Sequence, residues 1–560
     1  MQTLKLGQAA PPDYYSGKLA SMLQDVSSQY GDILSPEETS FITHHQFLSV
    51  DAQRLFARLI TRRGNLFRVD SLNYREVGNI HACLDELVAA GFLQSLNRCA
   101  ADKLLSLITK PELLVLFPKA PQKYRKPERL EFIVTHYTDG AIRTRLQALY
   151  PWVYRCNSQL LRVMEILFFG RASRDFSVFV LEDLGIQTFE NYVVDTQSRV
   201  FNSRHGLDDY LNLLACSERI ELLAVQWDEE LAYRLYKFLS EKFEHRLLER
   251  VRRSQLFKLS REAERKGHME FALCGYQNTG IAPSTERRIR INLKRGDVQK
   301  AHYLLSKILT EQGYSASEKM FASRFVHRNI KTLTYDPVLK PLNPVFDTRP
   351  DDINPELSQT ALVLSQAPAE NVEQAVVAWY HKKGYQAWHT ENGFIQAIFG
   401  LVFWEVIFHP VPGVFVNRYQ SGPLDLYWPD FSEQRKTQIA QCLAAMSSNA
   451  KLCTSLLATY DSKRGIANAF VGWRAFIRSD LEQWLGNVPV SQLRKILEIM
   501  LGDIQQYRRG FPDLLVIDAK GYVEFVEVKG PGDQLSQHQR VWFNLFYKLG
   551  LPARVLRVSW

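Results

Sequence analysis

Three side chains near the end of the chain have the types and spacing to work on a phosphate: Asp513, Glu527 and Lys529. Pro512-Asp513 opens the apolar run Leu514-Leu515-Val516-Ile517, and a turn follows at Asp518-Ala519-Lys520-Gly521. A second β-prone run ends in Glu527-Val528-Lys529. Strand side chains alternate faces, so Glu527 and Lys529 share one side and Val528 takes the other. Paired as a hairpin, the two runs bring Asp513 to the Glu-x-Lys end of the partner strand. Mg²⁺ and Mn²⁺ take hard oxygen ligands, which carboxylates supply while leaving positions for water and substrate oxygens. Such an ion acidifies a bound water and neutralises charge on phosphoryl oxygens. A lysine beside it can orient or deprotonate the attacking water, its own pKa lowered by the cation. The plain alternative is an ordinary hairpin with an exposed Glu–Lys pair, worth at most about 1 kcal/mol. The turn, the flanking strands and a helical segment after Lys529 favour the metal site.

The elements that must position these residues lie behind a stretch rich in Pro, Asp and Asn (Asp336-Pro337, Lys340-Pro341, Asn343-Pro344, Arg349-Pro350-Asp351-Asp352, Asn354-Pro355). Residues 336–370 read as a linker that isolates a terminal domain, 371–560. There the patterning predicts an amphipathic helix over 371–380 and an apolar helix over 394–408. Helices through 430–506, the hairpin, a helix over 534–549 and a strand over 553–558 follow.

At 560 residues, with 46 % apolar and 12 % aromatic content, the chain should hold about three or four domains, each with a core. A net charge of +9 favours a polyanionic partner and is equally compatible with an acidic protein or a membrane surface. Seven cysteines without a C-x-x-C pair argue against a zinc finger or a disulfide framework, and suit a reducing compartment. No apolar run approaches about 18 residues and the N-terminus lacks a signal-peptide core, so an intracellular protein with no membrane partner is expected.

Upstream, residues 1–45 read as a loosely ordered lead-in. Within 1–95, helices over 51–60 and 81–88 flank a short strand at 66–69, a winged-helix-like domain. Residues 96–150 suit a SAP-like element of two short helices broken near Pro111. The basic tract behind it (Lys119, Lys123, Arg125, Lys126) either neutralises backbone phosphates or forms a solvated linker. Residues 151–335 are helical, and Gly267 and Gly296 punctuate helix pairs in the tetratricopeptide (TPR-like) style of a degenerate repeat. The basic run Arg246, Arg250, Arg252, Arg253, Lys258, Arg261, Arg265, Lys266 is interrupted by Glu249, Glu262 and Glu264. It is either a solvated helix with i,i+4 pairs or a DNA-facing stripe in which Arg252 and Arg253 make contacts. The fold class is therefore multidomain and mainly α, closing in an α/β domain.

The order helix, hairpin bearing acid and acid-x-Lys, helix, strand is similar to the PD-(D/E)xK nuclease core. Gly510-Phe511-Pro512-Asp513-Leu514-Leu515-Val516 with Val526-Glu527-Val528-Lys529-Gly530 through Gln539 resembles a VRR-Nuc domain. Together with Glu391-Asn392-Gly393, Gly400–Phe408 and Pro423-Leu424-Asp425-Leu426, it resembles the Fanconi-associated nuclease family over nearly the whole chain. That resemblance implies Glu391, Asp513 and Glu527 as ligands of Mg²⁺ or Mn²⁺, assisted by the Val528 carbonyl. It implies Lys529 acting on the nucleophilic water and Gln539 supporting the site. Glu373 and Glu405 rival Glu391 for the third carboxylate. It further implies 5′ flap endonuclease and 5′→3′ exonuclease activity on branched or 5′-flap DNA in interstrand crosslink repair. Holliday-junction cleavage and a non-catalytic helical-repeat DNA-binding scaffold are the alternatives. With no N-terminal Cys/His cluster, a ubiquitin-binding zinc finger is not expected. A bacterial member would be cytoplasmic and nucleoid-associated, a eukaryotic one nuclear.

Overall fold

The computed structural model describes residues 14–62, 64–95, 101–149, 151–171, 188–311, 313–329, 333, 359–368 and 371–560. The chain divides into two compact units. One comprises Met1–Thr188, Val193–Asn202 and Phe415–Tyr419, the other Phe189–Tyr192, Ser203–Val414 and Gln420–Trp560.

The first unit opens on helices Tyr14–Tyr30 and Pro36–Phe47, where a loosely ordered lead-in was expected. Leu19, Met22, Leu23, Val26 and Tyr30 recur at helical spacing and are buried, while serines and glutamines between them dilute the pattern. Ser35 and Glu38 close a capping box at the start of the second helix. Helices Val50–Thr61 and Ile80–Ala89 follow as predicted. A three-stranded antiparallel sheet joins β1 (Leu66–Arg68), β2 (Leu93–Ser95) and β3 (Trp152–Arg155) in the order β1-β3-β2. Its central strand comes from beyond residue 150 and pairs with both strands of the region read as winged-helix-like. Without β3, the facing edges of β1 and β2 would be unpaired. The segment read as SAP-like is thus inserted between β2 and β3. It holds helices Ala101–Ser106, Lys110–Leu116, Lys126–His136 and Asp139–Leu149. Pro111 stands in the first turn of the second of these, where its missing N–H costs nothing.

In the second unit, Arg204–Val225, Glu229–Ser240, Arg246–Arg265, Met269–Thr279, Ser284–Lys294, Val298–Thr310 and Ala316–Arg328 form a helical series, each packed on the next. Gly275 is needed where two of them cross, because a Cβ there would collide with Ser260 Oγ.

A five-stranded mixed sheet completes this unit, with β4 (Gln359–Val363), β5 (Gln386–His389), β6 (Leu514–Ile517), β7 (Val523–Lys529) and β8 (Ala553–Ser559). Its order is β4-β8-β7-β6-β5; β7 pairs antiparallel with β6 and parallel with β8. β4 falls inside the stretch read as a linker and pairs parallel with β8, so that stretch is in part a sheet edge. Residues 336–358 and 369–370 of it lie outside the described residues. Val376, Val377 and Tyr380 of the Val372–Lys382 helix pack on Leu514, Val516, Val526 and Val528 across one face. Phe525 turns to the other face, 6.1 Å from Phe394 and 4.7 Å from Phe546 between ring centroids. Alternation along β7 sets Glu527 and Lys529 on the Phe525 side. No helix among the described residues is long and apolar enough to cross a membrane.

Candidate active site

The hairpin turn is built by its own residues. Asp518 accepts from the backbone N–H groups of Lys520 and Tyr522, both at 2.8 Å, and Gly521 takes the positive φ the turn requires. Register pairs Leu514 with Val526, which sets Asp513 across from Glu527 on the same face. The Val528 N–H donates to Asp513 Oδ2 at 2.8 Å, fixing that carboxylate against the end of β7.

Glu527 is fully buried. Its Oε1 accepts from Lys529 Nζ at 2.7 Å and from Gln539 Nε2. Its Oε2 meets no N–H or O–H donor and has the Asp513 carboxylate as its neighbour. Burial, reinforced by the neighbouring Asp513 charge, pushes the Glu527 carboxyl up to about 8, against the pull of Lys529. Burial likewise raises Asp513, with the Val528 N–H and the Lys529 charge pulling the other way. Gln539 is aimed by the helix it opens. Ser536 caps Gln537–Leu549, the Ser536 N–H donates to Gln539 Oε1 at 2.8 Å, and the amide nitrogen is left to reach Glu527.

The loop entering Asp513 is clamped from two sides. The Gly510 and Phe511 N–H groups donate to Asn392 Oδ1 at 2.9 and 3.3 Å. Gly510 has a φ of +89°, and a Cβ on it would stand 2.6 Å from the His538 carbonyl carbon, so glycine is doubly required. Thr390 and Glu391 donate their N–H groups to the Asp513 carbonyl at 2.9 and 2.8 Å. Glu391 is held at φ +42°, a positive value found at no other non-glycine residue among those described. Strain of that kind is maintained only where surrounding contacts over-determine it.

The third carboxylate is where sequence and structure part. Glu391 sits beside Asp513 by its backbone, but its side chain is exposed and accepts from Asn392 Nδ2 at 3.2 Å. Among the described residues no three His, Cys, Asp or Glu side chains are gathered as a metal-binding group. Glu373, in the first turn of Val372–Lys382, is close enough for its charge to oppose ionisation of Asp513, while His389 favours it. Glu405 is highly exposed and pairs with Lys463. Asn392 and His389 carry no signal in the sequence beyond their place next to Glu391. The donor set nevertheless suits a hard divalent cation, because it offers two converging carboxylates, one with a buried oxygen that no donor meets.

The residues read as DNA contacts separate into two kinds. Lys119, Lys123 and Arg125 are exposed in the first unit, where Lys126 opens a helix and donates to the Ser106 carbonyl at 2.9 Å. Arg252 is corrected: it is 1 % exposed, bonded to both oxygens of Glu249 at 2.7 Å and to the carbonyls of Leu239 and Asn278. Arg253 also pairs with Glu249, at 2.7 Å. Glu249 of the same helix engages both Arg252 and Arg253, and Arg252 falls on the helix's buried face.

Comparison with known proteins agrees with this architecture. Residues 13–94 match the family model "FAN1, HTH domain", and residues 447–560 match the VRR-NUC domain. A Fanconi-associated nuclease 1 homolog from Pseudomonas aeruginosa is 29 % identical over 98 % of this chain and 96 % of its own length. The homolog from Oryza sativa is 25 % identical over 97 % of this chain, which spans 62 % of that longer protein. A crystal structure of paFAN1 bound to 5′ flap DNA superposes with a TM-score of 0.84 at 29 % identity, covering 99 % of both chains. Two matched domains at opposite ends, and likeness along everything between them, make this chain similar over nearly its whole length to the Fanconi-associated nucleases.

Proposed function

We propose that this nuclease hydrolyses phosphodiester bonds in 5′-flap and related branched DNA, using Mg²⁺ or Mn²⁺. Endonucleolytic cutting near the flap, 5′→3′ exonuclease action and a role in interstrand crosslink repair are the finer parts of that reading. The observation that carries it is Glu527, a fully buried carboxylate beside Asp513 and Lys529 with one oxygen that no donor meets. Two buried carboxylates beside a lysine, both made harder to ionise by burial, are what a cation-binding phosphodiesterase site requires.

Asp513, Glu527 and the Val528 carbonyl would hold the cation, with Glu391 or Glu373 as the further carboxylate. When bound, the ion would acidify a water and stabilise charge on the phosphoryl oxygens. Lys529 would orient the water, and Gln539, which donates to Glu527 Oε1, would keep that carboxylate turned to the cation. The TPR-like helices, the winged-helix-like domain and the inserted helices would hold the DNA, with Lys119, Lys123 and Arg125 among the phosphate contacts. Intact acid and lysine positions argue against a non-catalytic scaffold.

Asp513→Ala should abolish Mg²⁺- or Mn²⁺-dependent cleavage of a labelled 5′ flap and leave DNA binding in place. Retention of full cutting by that variant would remove the assignment. A panel of flap, splayed-arm, four-way-junction and linear duplex DNA separates the flap reading from Holliday-junction cleavage.

A further inference from the structure

The basic run of the Arg246–Arg265 helix begins with two arginines that are engaged inside the protein. Arg246 Nη2 lies 2.7 Å from Asp430 and 3.4 Å from Asp425. The Arg246 and Arg250 guanidiniums stand 5.3 and 5.1 Å from the ring centroid of Trp428. Asp425 is itself fully buried and takes two parallel bonds of 3.0 Å from the equally buried Arg435. The next aromatic residue, Tyr427, faces elsewhere: the Arg508 guanidinium lies 4.6 Å from its ring centroid and donates to its hydroxyl at 3.4 Å. Arg508 begins the loop that enters Asp513, and its carbonyl accepts from Gln396 Nε2 at 2.6 Å. Residues 425–430 therefore touch the helical series through Asp425, Trp428 and Asp430, and the catalytic loop through Tyr427.

A metal site cuts whichever phosphodiester reaches it, so the position of the cut depends on where other elements hold the duplex. Taking the nuclease reading above as given, we infer that segment 425–430 is a positioning bridge that sets the incision register, with Arg246 and Tyr427 as its specificity-determining residues. Neither residue touches the metal-site carboxylates. The bridge is stiff because the bidentate Arg435–Asp425 pair and the cation–π contacts on Trp428 and Tyr427 hold it from both sides. Arg246 is also the part that can be removed without unfolding the domain, since Asp425 keeps Arg435. Short packed networks of this kind transmit position only where both ends are held.

The test is single-turnover cleavage of an end-labelled 5′ flap by the full chain with Mn²⁺, resolved to single nucleotides. Wild type should concentrate its cuts at a main position. Arg246→Ala should spread them to neighbouring phosphodiesters and lower the rate at the main position about threefold to tenfold, with total cleavage falling less. Arg246→Lys, which keeps a positive charge beside Asp425 and Asp430, should retain the main position. An unchanged distribution in folded Arg246→Ala overturns the bridge, as does a uniform loss at every position. If Arg246→Ala fails to fold, Tyr427→Leu, which removes the ring under Arg508, decides in its place: a spread pattern supports the bridge and an unchanged one overturns it. Absence of metal-dependent cutting in the wild type, or its survival in Asp513→Ala, instead overturns the nuclease reading on which the bridge rests.

Discussion

Glu527 and Arg252 are both charged side chains taken almost wholly out of water, at 0 % and 1 % exposure, and they could hardly be treated more differently. Each nitrogen of Arg252 has a partner: Glu249 meets it with both oxygens and two backbone carbonyls take further bonds. Glu527 keeps an oxygen that no donor meets, and its carboxyl is pushed up to about 8. A buried charge with a partner at every polar atom is a brace. One left incomplete stores an electrostatic demand that a cation can meet. The inventory of partners, more than burial or sign, separates structure from function here.

The sharpest way to break this contrast is Glu527→Gln. The swap keeps shape and removes the charge, so flap cleavage should fall by at least about 10²–10³-fold, while DNA binding persists. The pH dependence runs with it. A carboxyl whose folded pKa is raised from 4.5 to about 8 contributes stability below the lower value, and that contribution is lost as pH rises through the upper one. Metal-free wild type should therefore lose melting temperature between pH 5 and 8 relative to Glu527→Gln, and Mn²⁺ at pH 8 should restore it only in wild type. Equal melting curves with and without Mn²⁺ would count against a cation at Glu527.

Arg252→Ala should do the reverse. Removing the buried guanidinium leaves Glu249 only Arg253 and the Phe243 N–H, strips two backbone carbonyls of their donor, and costs about 3 kcal/mol in denaturant unfolding. DNA affinity measured under folded conditions should be unchanged, and a drop in affinity without a drop in stability would return Arg252 to the role of a DNA contact. The smallest effect belongs to Gln539→Ala, which leaves Glu527 its lysine but removes the amide that orients it. A loss of about 10-fold in cleavage is expected. No change would reduce Gln539 to a helix-capping residue.

The catalytic hairpin was legible because its information is local. Alternation, a turn with its own Asp and Gly, and a fixed Glu-x-Lys spacing put Glu527 and Lys529 on one face whatever the rest of the chain does. Helix positions in the first unit were legible for the same reason, whereas Tyr14–Tyr30 was obscured by polar residues between its apolar ones. The strand pairings that cross the expected borders were not legible. β3 returns from residue 152 to complete a sheet begun at residue 66, and β4 enters its sheet from within a proline-rich stretch. Strand pairing between distant segments leaves no periodic trace in either one.

From sequence alone, the acid–acid-x-lysine edge, the mainly helical layout and the family resemblance were determined. Tertiary structure alone decided which charges face inward with partners and which without, because that depends on what packs across the gap. It buried Arg252 as a brace, turned Gln539 onto Glu527, pinned the Asp513 loop on Asn392, and drew the rival acid Glu373 towards Asp513. Residue types specify which bonds are available; only the fold fixes which of them are made.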